Sequence, residues 1–318
     1  VKELQCEFTG NSFHLHMYMG VYEIRDRDEA VSIMVDKANI AADTIKNNYD
    51  CCVAYYDEHL LEISIEQRRL LGEFEPALQN DEFVMYLQPQ VKRDGAAKGA
   101  EALVRWVHPS RGILTPYAFI DILENAGLIY KLDLYIWEKA AQKLAEWKEK
   151  GYGSYHISVN ISTKDFYIID IYETFTGLIN KYGIAASNLH LEITETTLMT
   201  DFEKNMNIIH KLQGVGFRVE IDDFGSGYSS LNMLKDISAD VLKIDMGFLR
   251  KSENEVKGQD ILESIITLAG KIGMDVITEG VETKKQLDML TMMGCHEFQG
   301  YYFSKPVPVS EFEEKYLV

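Results

Sequence analysis

Cysteine is scarce in this sequence. The four present, Cys6, Cys51, Cys52 and Cys295, form no CxxC pair and no regular framework, and two of them are adjacent. This argues against a cysteine-built zinc site and a disulfide scaffold, and fits free thiols in a reducing cytosol. Long apolar runs are missing too: none approaches the roughly 20 residues that span a bilayer. The opening VKELQCEFTG lacks a basic end followed by an apolar stretch, so it does not read as a signal peptide. A cytoplasmic location is expected. Positive charge is in deficit. With 32 Lys and Arg against 50 Asp and Glu, the formal net charge is −18. That disfavours a nucleic acid polymer, whose phosphates need Lys and Arg. A small phosphorylated ligand stays open if metal ions stand between it and the protein. Neither glycine-rich phosphate turn, GxGxxG or GxxxxGK followed by Ser or Thr, occurs.

What is present reads as a globular α/β protein. Hydrophobic residues make up 46% of the 318 residues and charged residues 26%. The length suits a large barrel with a smaller unit. From about residue 82, short apolar strands alternate with amphipathic helices. Eight strands are expected at 82–91, 98–107, 155–162, 189–195, 217–223, 240–245, 274–280 and 296–304. Between them, Leu132, Ile136, Ala140 and Leu144 recur every four positions on one helix, with Gly151 closing it. Ile261, Ile265, Leu268 and Ile272 form the face of another. Thr115-Pro116 reads as an N-cap with proline at the first helical position. Thr283 with Gln286, and Ser310 with Glu313, have capping-box spacing. Eight such units predict a (β/α)8 TIM-type barrel over 81–318. Residues 1–62 predict a small α+β segment, too short to bury much core alone. A helix over 63–80 joins the two.

In such a barrel the chemistry sits at the C-terminal ends of the strands. Here seven successive strands carry a polar group at that level. They are Glu101, Asn160, Glu192 with Glu195, the adjacent pair Asp222-Asp223, Lys243, Glu279 with Glu282 just beyond, and Gln299. Any one could be a satisfied polar residue near a strand end. Recurrence at one level in seven strands points to a site. A ring of oxygen donors suits a hard cation, Mg2+, Mn2+ or Ca2+. The absence of His and Cys from the ring argues against the usual zinc site. Adjacent carboxylates repel unless a proton or cation sits between them. One of the Asp pair can therefore bridge two metal ions of a phosphoryl-displacement centre, with Lys243 adding positive charge near the attacking water.

At these residues the sequence resembles a known family. GAEALVRWVHPSRGILTPYAFI (99–120) is similar to the signature segment of EAL-domain cyclic-di-GMP phosphodiesterases, with Glu101-Ala102-Leu103 as the name motif. SVNIS, LEITET, IDDFGSGYSSL, LKID, TEGVET and QGYYFSKPVP resemble the remaining blocks, in order, over about 66–318. The resemblance implies the EAL fold and hydrolysis of cyclic-di-GMP to linear pGpG in bacterial second-messenger signalling. It implies metal ligands at Glu101, Asn160, Glu192, Asp222 and Asp223, with Mg2+ or Mn2+ as two ions per site and Ca2+ as a candidate inhibitor. Lys243 would position or activate the water. Glu279 would be a general base or a ligand of the second metal. Gln299 would support the cluster, Glu195 would hold the loop 223–231, and Glu282 would stand behind them. Gln88, Arg105 and the backbone near Leu103 would contact the dinucleotide. Ser226 stands where threonine is common and Gln90 where an aliphatic residue is usual; neither removes a ligand.

The segment before the barrel resembles the C-terminal half of a GGDEF domain, through MYMGVY, KANIAADTIKNN and YYD. The cyclase signature loop is absent, so no synthesis of cyclic-di-GMP is expected, and the intact protein is expected to be longer. A homodimer through the barrel is expected, with the loop after Asp223 linking its interface to the metals. The alternatives are a cyclic-di-GMP receptor that does not cut its ligand and a protein-contact scaffold. His14, His16 and His108 are read as packing or surface residues. Met289, Met292 and Met293 are read as core, as are Trp106, Trp137 and Trp147, and Glu311, Glu313 and Glu314 as a solvated helix face.

Overall fold

Alternation of apolar and polar residues organises the larger unit of this protein, seen here in a computed structural model. Residues 4–8, 11–15, 17–46, 51–224, 237–245 and 255–317 are described. The chain divides into Val1–Pro76 and Ala77–Val318, within the helix Glu58–Gln79. In the first unit, β1 (Leu4–Phe8) pairs antiparallel with β2 (Asn11–Leu15). β3 (Met19–Val21) pairs parallel with β4 (Val53–Tyr55), and the helix Val31–Asp43 lies between them in sequence.

The second unit is a closed barrel of eight strands. They are β5 (Phe83–Lys92), β6 (Ala97–His108), β8 (His156–Ile161), β9 (Leu189–Thr194), β10 (Val219–Phe224), β11 (Val241–Asp245), β12 (Asp275–Glu279) and β13 (Glu297–Phe298). Two short strands, β7 (Gly112–Leu114) and β14 (Val307–Pro308), flank it. From β6 to β13 every neighbour is parallel. The first barrel strand departs from the expected alternation. β5 is antiparallel to both β6 and β13, and a short turn, with no helix, joins it to β6. Only four residues separate Lys92 from Ala97, which permits a hairpin but not the crossover that a parallel pair requires. The last strand is also shorter than expected, because Gly300 turns the chain away at φ 158°. A Cβ there would lie 2.2 Å from the Val281 carbonyl oxygen, so the close approach beside Gln299 requires glycine.

Successive side chains of a strand point to opposite faces. Ile157, Val159, Ile161, Leu189, Leu191, Ile193, Val219, Ile221, Leu242 and Ile244 are all buried and face the surrounding helices. The intervening residues point inward, and many are polar: His156, Ser158, Asn160, His190, Glu192, Glu220, Asp222 and Lys243. Barrel interiors are ordinarily filled by branched aliphatic side chains, so this core is polar where an apolar one would be more stable.

Most helices follow the apolar stripes, but on Glu255–Lys271 the buried face is Leu262, Ile265, Ile266 and Ala269, while the expected Ile261 and Ile272 are exposed. Leu132, Ile136, Ala140 and Leu144 are buried on the helix Ile129–Glu149. Thr283 and Gln286 form the expected capping box on Lys284–Met292. Ser310 does not cap: its helix, Val309–Tyr316, begins one residue earlier, after Pro308. Trp106, Trp137 and Trp147 are fully buried. Met292 is 81% exposed and so is not core, because it lies on the outer face of its helix. Glu313 is not simply solvated: it accepts a hydrogen bond from Trp147 Nε1 at 2.8 Å. Among the described residues no helix is long and apolar enough to cross a membrane.

Candidate active site at the barrel mouth

Lys243 occupies the centre of the mouth. Its side chain is completely buried, and four carboxylates from four strands surround its Nζ. Glu192 and Glu279 lie at 2.7 Å, and Glu101 and Asp222 at 3.4 Å. Burial alone would lower the Lys243 amine; the charges of Asp222, Glu101, Glu192 and Glu279 outweigh it and hold the amine well above its ordinary value. One cation cannot balance four anions. Burial, with the charge of Glu101 next, pushes Glu192 well above the usual carboxylate range. Burial and the charges of Asp222 and Glu101, against the opposing pull of Lys243, push Glu279 up to about 8. The mouth thus gathers more carboxylates than one lysine balances, a charge pattern that suits a divalent cation.

Side chains from three further positions orient Glu101. Asn160 Nδ2 donates to its Oε1 at 3.2 Å, and Gln299 Nε2 donates to its Oε2 at 2.5 Å. Gln299 Nε2 also reaches Gln88 Oε1 at 3.3 Å, and Gln88 Nε2 donates to the Ser304 carbonyl at 3.3 Å. Gln88 stands opposite Glu101 across the hairpin. Leu103 and Arg105 follow Glu101 on the same face of β6, two and four residues outward. Arg105 is half-buried, which lowers its guanidinium; the charges of Tyr86, Tyr301 and Glu101 act in the opposite direction.

The Asp222-Asp223 pair has a structural cause. Regular alternation would send the two carboxylates to opposite faces. Between Ile221 and Phe224 the strand instead carries one more residue than β11 opposite it, a β-bulge that re-aims side chains. Asp223 adopts φ 57° there, a left-handed conformation unusual for a non-glycine residue. It is pushed up by burial and then by the charges of Asp222 and Asp245, so its carboxylate shares the field of the mouth.

Glu101, Asn160, Glu192, Asp222, Lys243, Glu279, Gln299 and Gln88 are therefore brought into one network, with Asp223 beside it. Glu195 begins the short helix Glu195–Thr200 after β9; most of the loop it was expected to hold, 225–231, lies outside the described residues, as does Ser226. Glu282 is exposed before the helix Lys284–Met292. Sequence reasoning missed Asp245, Tyr86 and Tyr301. Asp245 pairs in register with Glu279, and its position at the very end of LKID was the available signal.

The donor set suits a hard cation. All its atoms are oxygens, and two buried ones, Glu192 Oε2 and Gln299 Oε1, have no hydrogen-bond partner. Buried polar atoms left unpaired are costly and call for an explanation such as an ion. In this structure the carboxylates converge on Lys243. Among the described residues, the one trio of His, Cys, Asp or Glu whose donor atoms lie within 4.8 Å of one another is His156, His190 and Glu220, at the other end of the barrel.

Comparison with known proteins gives a consistent picture. The family model of the EAL domain matches residues 72–306. MucR of Pseudomonas aeruginosa, a bifunctional diguanylate cyclase/cyclic di-GMP phosphodiesterase, is 32% identical over 272 residues, 85% of this chain and 39% of MucR. PdeR of Escherichia coli, a cyclic di-GMP phosphodiesterase, is 33% identical over 240 residues, 76% of this chain and 36% of PdeR. The solved MucR phosphodiesterase in complex with c-di-GMP matches with a TM-score of 0.73 at 33% identity, covering 77% of this chain and 99% of that one. The EAL enzyme Bd1971, bound to cAMP and cyclic-di-GMP, matches with a TM-score of 0.72 at 31% identity, covering 79% and 69%. The chain spans less than half the length of the curated relatives it matches.

Proposed function

The chain belongs to the EAL domain family, and from that premise we propose that its barrel hydrolyses cyclic-di-GMP to linear pGpG. The observation that carries this reading is the convergence of four carboxylates on a buried lysine at the barrel mouth, with a fifth beside them. Two Mg2+ or Mn2+ ions, held by Glu101, Asn160, Glu192, Asp222, Asp223 and Glu279, would neutralise the phosphate and polarise the reacting water when bound.

The protein's own residues do the rest. Asn160 and Gln299 fix the rotamer of Glu101, so its oxygens are set before the substrate arrives. Gln88, the backbone at Leu103 and Arg105 bind the dinucleotide, and the Arg105 guanidinium meets a phosphate. Glu279 either accepts the proton of the attacking water as general base or holds the second ion. The new bond joins the water oxygen to phosphorus, and the bond from phosphorus to the 3′ oxygen breaks. The 3′ oxygen leaves and takes up a proton, so pGpG carries a 5′ phosphate. Lys243 holds the surrounding carboxylates together and offsets charge that develops on the phosphoryl oxygens. Glu195 and Glu282 support the loops around the site.

One turnover in 18O-water tests this chemistry. Mass spectrometry is expected to find a single 18O in the terminal phosphate of pGpG. Product without the label would rule out water attack at phosphorus.

A receptor that binds cyclic-di-GMP without cutting it is the second reading. The parallel pair β3 and β4 with a helix between them supports reading residues 1–62 as part of a GGDEF-like domain, with 63–80 as linker and 81–318 as the EAL barrel. The reading includes a homodimer through the barrel.

A further inference from the structure

Two residues before Asn160, Glu192 and Asp222, the same strands point a second set of polar groups into the barrel. Gln90 precedes the turn to β6, Ser158 lies below Asn160, His190 below Glu192 and Glu220 below Asp222. With His156 they line the opposite end. A cavity of about 490 Å3 opens there, bordered by His156, His190, Glu220, Lys98, Arg218 and Glu297 among others.

The cluster is built. The His156 and His190 rings stack with centroids 3.8 Å apart and planes within 5°. Gly99 leaves the space: a Cβ there would lie 2.4 Å from the His156 ring. His156 Nε2 meets Gln90 Oε1 at 2.7 Å. His190 Nε2 faces the Ser187 carbonyl at 3.2 Å, and its Nδ1 faces Glu220 Oε1 at 2.5 Å. With Nε2–H donating to Ser187, the Nδ1 lone pair points at a carboxylate. Two acceptors so placed need a cation between them, either a proton or a metal ion. A ring nitrogen tied to a backbone carbonyl is the arrangement that orients metal-ligating histidines. Glu220 is completely buried, yet its Oε2 has no hydrogen-bond partner. Donor atoms of His156, His190 and Glu220 lie within 4.8 Å of one another.

We propose that His156, His190 and Glu220 form a second cation site, at the N-terminal end of the barrel, that takes a borderline divalent transition metal such as Zn2+. Two imidazoles and one carboxylate suit that ion and not Mg2+, which prefers oxygen donors. Zinc with ligands at about 2.0–2.2 Å requires His190 and Glu220 to separate as the metal displaces the proton between them, and the stacked rings of His156 and His190 to tilt apart, because an imidazole binds a metal in its own plane; the cavity gives room. The site is independent of the phosphodiesterase reading, because none of its ligands belongs to the mouth.

The test uses the whole chain with saturating Mg2+, which fills oxygen-donor sites, and adds Zn2+ alone. In 15N-histidine spectra the ring resonances of His156 and His190 are expected to shift together and saturate at one equivalent. Co2+ in place of Zn2+ should give one visible band per chain. His190→Ala and Glu220→Gln should each weaken Co2+ binding on the order of 100-fold or more. Unmoved histidine resonances in the unmutated chain would overturn the proposal without relying on any variant. A Co2+ band unchanged in folded variants would do the same.

Discussion

Replacing Lys243 by methionine is expected to remove much of the stability of the metal-free chain. The side chain is completely buried and faces carboxylates of Glu101, Glu192, Asp222 and Glu279 within 3.4 Å. Methionine keeps most of the volume, so packing changes little. The charge goes, and carboxylates that shared one cation are left with none. Breaking a buried ion pair by removing one partner costs about 3–5 kcal/mol, a large part of the ~5–15 kcal/mol that holds a typical domain together. Divalent ions should restore part of the loss in Lys243→Met, because they supply the missing charge. Urea unfolding in EDTA and in Mg2+ measures both effects. Equal stability of the two proteins in EDTA would mean that the carboxylates neutralise themselves with protons and do not depend on Lys243.

Removing one of the anions should have the opposite sign. Glu101→Ala is expected to lower turnover of cyclic-di-GMP by more than about 100-fold, since loss of a supporting group around a metal already costs ~10–100-fold. The metal-free fold should be no less stable, because one source of like-charge repulsion is gone. Sites built for chemistry are commonly stabilised when their strained groups are removed. The pair of measurements matters more than either alone. Lost turnover with an unchanged or raised unfolding midpoint places Glu101 in the chemistry. Retained turnover would remove it from the ligand set, and a collapsed fold would make it structural.

The barrel and the residues of its mouth were legible because two local signals coincide. Period-two burial marks each strand, and a polar residue at each strand's end marks the mouth. Three features were not legible, for separate physical reasons. The antiparallel first strand depends on the short connection between Lys92 and Ala97, a matter of chain length that strand patterning does not report. The bulge that brings Asp222 and Asp223 to one field adds a single residue, invisible without the register of β11. Lys243 reads as one polar residue among ten, whereas its place at the centre of four carboxylates arises only when the strands close into a ring. The cluster of His156, His190 and Glu220 was hidden for the same reason. Its members lie far apart in sequence and meet because neighbouring strands hold them in register: Ser158 with His190, Glu192 with Glu220.

The reaction proposed at the barrel mouth is hydrolysis of a cyclic dinucleotide with the help of divalent metal. Its most direct measurement is chromatography of cyclic-di-GMP incubated with the purified chain in Mg2+, in Mn2+ and in EDTA. pGpG is expected with either metal and none in EDTA. Cyclic-di-GMP left intact in the presence of both metals, while calorimetry records its binding, would contradict the enzyme reading and leave a receptor.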